Sequence, residues 1–86
     1  MNKKELGLFL RARREKLGLM QADLATFLGY DSTQFVSLFE RGLSKVPLDK
    51  LGLIAEFLNI PKKKLIKALV SEYQKKVESE INRKAA

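Results

Sequence analysis

Seventeen lysine and arginine side chains stand against ten aspartates and glutamates in a chain of 86 residues, a formal net charge of +7. Such cations bind anions; they do not make or break bonds. The excess points to a polyanionic partner, either nucleic acid or an anionic membrane surface. The side chains that most often do covalent or acid–base work are missing, since there is no cysteine and no histidine. That excludes disulfides, thiol nucleophiles and thiolate metal sites, and it removes the usual metal ligand and general base. No nucleophile–base pair, phosphate loop or metal-ligand cluster stands in the sequence, so no enzyme, cofactor or metal is expected. The cations are also unevenly placed. Residues 1–20 carry +4, residues 21–60 carry −2 and residues 61–86 carry +5.

The elements that must position these groups all read as helices. At 86 residues the chain holds one domain with a thin core, which a partner chain would help stabilise. No stretch alternates long enough for a strand or is long enough to span a membrane. The apolar run from Leu6 to Leu10 is too short for a signal peptide. With the absence of cysteine, this places the chain in a reducing cytoplasm.

Glycine and proline mark off five helical segments. The first runs from about Lys3 to Leu17, with Asn2 and Glu5 spaced as a capping box and Leu6, Phe9, Leu10 and Leu17 near one face. The second spans about Gln21 to Leu28, and Gly29 stops it. The third spans about Ser32 to Arg41, where Asp31 and Gln34 offer a second capping box. The fourth starts near Pro47 and runs through Leu58. The fifth starts at Pro61 and continues almost to the C-terminus, with Asn82 to Ala86 fraying.

The second and third segments, joined by Gly29, Tyr30 and Asp31, have helix-turn-helix geometry. Ala25 is small where the helices approach, Gly29 supplies the sharp turn, and Leu24, Leu28, Val36 and Phe39 form the inner faces. Here the chain resembles the Cro/repressor-type (XRE) helix-turn-helix regulators over roughly Leu6 to Pro61. The likeness rests on Leu10-Arg11, Arg14, Gly18-Leu19, Gln21, Leu24-Ala25, Gly29, Ser37, Glu40-Arg41-Gly42, Pro47, Ile54-Ala55 and Leu58. Three features depart from the pattern. Met20 stands where a Ser or Thr usually caps the second helix, a loss of about 1 kcal/mol. The turn is one residue longer. The third helix carries Phe35, Val36, Leu38 and Phe39, which cannot all face inward.

The resemblance implies an all-α, five-helix, lambda-repressor-like domain over residues 1–69, with residues 70–86 extending the fifth helix. It also implies that the third helix lies in the major groove of double-stranded DNA, with Thr33, Gln34, Ser37 and Leu38 at the base edges. The Gln34 amide can pair with adenine, and Leu38, with Phe35 as a further candidate, can pack on thymine methyls. Gln21, Arg41 and Lys45 match positions that touch phosphates, which position the domain without reading sequence. Arg14 and Glu40 match an internal ion pair. Each assignment has a plainer rival: a helix cap for Gln34, solvated residues for Thr33 and Ser37, core or turn packing for Phe35, and a protein contact for Leu38. Lys62 to Lys64 read as a solvated face, with phosphate contact as the lesser alternative.

On the fifth helix, Leu65, Ile66, Leu69, Val70, Tyr73, Val77 and Ile81 share one arc. Its outer part, Tyr73, Val77 and Ile81, needs a second surface, most simply another copy of the chain. The expected function is a transcriptional regulator, a repressor, binding an inverted-repeat operator as a homodimer. It has no room for an appended effector domain. The alternative is a protein-interaction module with a second protein as partner, as in antitoxin-like chains, suggested by the acidic middle and the apolar third helix.

Overall fold

Local signals at the helix ends set the architecture. In the computed structural model, which describes residues 1–83, α1 spans Lys3–Lys16 and opens on the expected box. Asn2 Oδ1 accepts from the Glu5 amide at 2.8 Å, and Glu5 Oε1 accepts from the Asn2 amide at 3.1 Å. α2 spans Gln21–Phe27 with no side-chain cap from Met20. Asp23 supplies half of the missing box, its Oδ2 accepting from the Met20 amide at 2.7 Å.

α3 spans Gln34–Glu40, starting two residues after the expected Ser32. The Asp31–Gln34 box does not form. Such a box pairs the capping residue with the third helical position, and here Thr33 occupies the cap while Gln34 is the first helical residue. Ser32 Oγ accepts from the Gln34 amide instead, at 3.3 Å. Pro47 leads into a 3-10 turn at Leu48–Lys50, which runs on into α4, Leu51–Phe57. α5 spans Lys62–Asn82. Asn82 is thus helical, and the expected fraying of residues 84–86 lies outside the described residues.

Four of the helices end in the same way. After α2, the Tyr30 amide reaches the Ala25 carbonyl at 2.9 Å and the Gly29 amide reaches Thr26 at 3.1 Å, with Gly29 at φ 83°. This double closure needs a left-handed residue, which glycine adopts without steric cost. The ends at Gly18, Gly42 and Asn59 repeat it. Two cations from distant helices finish the job: Lys50 Nζ donates to the Leu28 carbonyl, and Arg13 donates to those of Leu58 and Asn59.

The core gathers Leu6 and Leu10 of α1, Leu24, Ala25 and Leu28 of α2, Val36 and Phe39 of α3, Ile54, Ala55 and Leu58 of α4, and Leu65 of α5. Leu17, expected on the inner face of α1, is instead exposed, because the helix has ended and the chain turns away. α5 continues past the core and makes the molecule 48 Å long against 25 and 21 Å across. Among the described residues there is no strand and no helix long and apolar enough to cross a membrane.

α1 and α3 approach closely at the backbone. A Cβ on the buried Gly7 would stand 2.7 Å from the Glu40 carbonyl oxygen, and nearer still to that of Phe39. Gly7→Ala should therefore push the two helices apart. We expect a loss of about 1–3 kcal/mol or more in urea unfolding, although alanine is the better helix former.

Candidate nucleic-acid interface

The end of α3 is pinned from inside. Arg14 Nε and Nη2 donate to Glu40 Oε2 and Oε1 at 2.7 and 3.0 Å, a two-pronged pair in which both residues are buried. Arg14 Nη1 also donates to the Leu19 carbonyl at 2.7 Å. Gln21 Nε2 donates to Glu40 Oε1 at 2.9 Å. One carboxylate thus joins α1, the entry to α2 and the exit of α3. Hydrogen bonding to Glu40 raises the Arg14 pKa, outweighing the lowering by burial. Arginine is already charged at any working pH, so this shift does not change its charge.

With Val36, Phe39 and Glu40 turned inward, helical spacing turns Gln34, Ser37, Leu38 and Arg41 the other way. Thr33, Gln34 and Arg41 are exposed, and Ser37 and Leu38 are half-buried. Arg41 Nε bonds back to the Ser37 carbonyl at 3.3 Å. Lys45 is exposed on the loop that follows α3. The outer face of α3 therefore offers one amide, two hydroxyls counting Thr33, one aliphatic side chain and a single cation at its end.

Gln21 sits differently from the rest. Its amide faces Glu40 and fastens the helix pair, so it has an internal partner as well as a place at the start of α2. The four apolar residues of α3 divide: Val36 and Phe39 are buried, Leu38 is half-buried, and Phe35 is 56% exposed. The Phe35 ring leans on Tyr30 with centroids 5.1 Å apart, and Lys50 Nζ lies 5.3 Å from the Tyr30 centroid. A run of the turn and α4 thus braces the first turn of α3.

Sequence reasoning missed the Asp23 cap and the helix-end roles of Arg13 and Lys50. The acid three residues after Met20 was a usable signal for the first. Nothing local marks the other two, whose partners lie 45 and 22 residues away. Tyr73, Val77 and Ile81 do not join this site; they lie exposed along the far part of α5. Among the described residues no three histidine, cysteine, aspartate or glutamate side chains gather as a metal site.

A family model described as a helix-turn-helix domain matches residues 5–65 of the chain. Neither the curated proteins nor the solved structures give a significant match.

Removing one member of the buried network leaves the other uncompensated. Glu40→Ala should cost about 3–5 kcal/mol in thermal or urea unfolding. Joint replacement of Arg14 and Glu40 by methionine and leucine should cost clearly less than either single change.

Proposed function

We propose that this chain, which belongs to the helix-turn-helix domain family, is a non-enzymatic Cro/repressor-type regulator that works in the cytoplasm and reads duplex DNA with α3. The observation that carries this reading is the division of α3. One face is anchored to the body by Val36, Phe39 and the Glu40 network, and the other presents the hydrogen-bonding side chains of Thr33, Gln34 and Ser37 outward. A rigid helix with an uncharged, hydrogen-bonding outer face suits major-groove readout.

In this reading Gln34 pairs with adenine through its amide, Thr33 and Ser37 contact adjacent base edges, and Leu38 packs on a thymine methyl. Arg41 and Lys45 hold phosphates. Gln21 keeps one Nε2 hydrogen on Glu40 and offers the other to a phosphate. The body, residues 1–69, binds one half-site. Residues 70–86 bring two copies together on an inverted repeat through Tyr73, Val77 and Ile81, and the bound dimer represses by occupying its operator.

A second reading, a protein-interaction module, is favoured by the exposed Phe35 ring. Selection from random duplex DNA separates the two. The regulator should enrich one palindromic motif with half-sites about one helical turn apart, whereas an interaction module enriches none. Gln34→Ala should relax preference at one position per half-site, at a cost of about 1–3 kcal/mol. Lys45→Ala should weaken binding to all sequences alike and reduce the salt slope by about 1.

A further inference from the structure

The apolar ribbon on α5 is longer than the part that closes the core. Ile66, Val70, Tyr73, Val77 and Ile81 follow one another at spacings of three or four residues and all are exposed. The body takes up Leu65 and Leu69 on a neighbouring arc, and Tyr73 edges a groove that Met1, Leu6 and Val46 line from the body side, leaving most of the ribbon's surface uncovered. Beside its first turn runs a groove lined by Leu51, Gly52, Ala55, Leu65, Ile66 and Leu69, with Lys62 at its edge. Gly52 lies within α4 with open space where a Cβ would stand. A glycine inside a helix costs about 1 kcal/mol relative to alanine, and a bare surface there lets another helix come close.

Charge is polarised along the same helix. Lys62, Lys63 and Lys64 fill the first turn of α5, with no acid among them, while toward its other end Glu78 and Glu80 stand among Lys75, Lys76 and Arg83, the last 3.6 Å from Glu80 across an exposed pair. Three cations at a helix start oppose the helix dipole. An anionic neighbour would relieve them.

We propose that α5 of a second copy covers this ribbon, packed antiparallel about a two-fold axis passing between Ser71 and Glu72. The proposal rests on the homodimer reading above and gives it an orientation and a register. Ile66 of each copy then meets Val77 of the other, and Val70 meets Tyr73, so every apolar residue from 66 to 77 on the ribbon finds an apolar partner. Glu80 falls level with Lys63 and within one residue of Lys62. The acidic end of each helix lies on the basic start of the other, twice in the dimer. A parallel pairing would set one lysine triplet on the other. The register also accounts for Glu80, which breaks the apolar seam of a single helix but here ends it against opposite charge.

The chain has no cysteine, so introduced cysteines report the register directly. Residues 66 and 77 of one helix are about 16 Å apart and cannot link within a chain. Under oxidation, the Ile66→Cys/Val77→Cys variant should run as a covalent dimer, while either single variant stays monomeric on a non-reducing gel. Efficient linkage of Val77→Cys alone means a parallel or shifted pairing and overturns the proposal. A wild-type chain that scatters light as a monomer at every concentration overturns it as well. Lys62→Glu with Lys63→Glu should weaken the dimer about tenfold, and adding Glu78→Lys with Glu80→Lys should restore it; absence of rescue refutes the charge matching. These measurements need no DNA. A chain that pairs this way yet selects no DNA sequence refutes only the DNA reading; one that selects DNA without pairing refutes this proposal and the homodimer reading it rests on; and one that pairs in another register refutes this proposal alone.

Discussion

Much of the molecule depends on a single buried carboxylate. Glu40 accepts three hydrogen bonds, two from Arg14 of α1 and one from Gln21 at the head of α2. Arg14 carries the link onward to the Leu19 carbonyl in the turn between α1 and α2. A buried ion pair contributes little net stability over a well-packed apolar substitute, because both charges must leave water. Its effect here is directional. Apolar contacts among Leu10, Leu24 and Phe39 would tolerate small slides of one helix on another, whereas a two-pronged guanidinium–carboxylate pair tolerates few. The same contact holds α3 close to α1, where Gly7 leaves no room for a side chain. The angle at which α3 presents its outer face is set by this one junction.

The short helices need help that their own length cannot supply. α2, α3 and α4 have seven residues each, below the length at which an isolated helix is stable in water. Each closes its last turn on a left-handed residue, and two receive a cation from elsewhere on their terminal carbonyls. Lys50 links α4 back to the end of α2, and Arg13 links α1 to the end of α4. These bonds help turn three marginal helices into a frame in which the ends of α2 and α4 are capped by other elements and the end of α3 is tied to α1 through Glu40.

Where sequence spacing controls structure, it was legible. Gly18, Gly29 and Gly42 marked helix ends because a left-handed residue is needed there, and Asn2 with Glu5 marked a start because the box is local. The split of α3 followed from its period: Val36 and Phe39 went in, and Gln34, Ser37 and Leu38 did not. The Asp31–Gln34 box failed because the same spacing occurs without the helix beginning where it requires. Leu17 failed because periodicity was carried past the helix end. Long-range capping by Arg13 and Lys50, and the second partner of Gln21, depend on which helices become neighbours. That is decided by the whole core.

The charge of +7 takes on a different meaning once each group is placed. The middle of the chain looked acidic, yet Glu40 is buried against Arg14 and Asp23 is spent on a helix start. Glu40 therefore presents no charge to a ligand approaching α3, whereas Asp23 stays exposed at the start of α2. The outer face of α3 is nearly neutral, with Arg41 at its end and Lys45 just beyond. In the proposed reading such a face would recognise bases by hydrogen bonds and shape, leaving attraction to phosphates at the margins. Most of the other cations lie on α1 and along α5, closest together at Lys62, Lys63 and Lys64, of which Lys64 stands 5.8 Å from the Phe9 ring centroid. Long-range attraction to DNA draws on the total charge wherever it sits. Pairing of two helices draws on its arrangement, and along α5 the arrangement is that of opposite ends suited to each other.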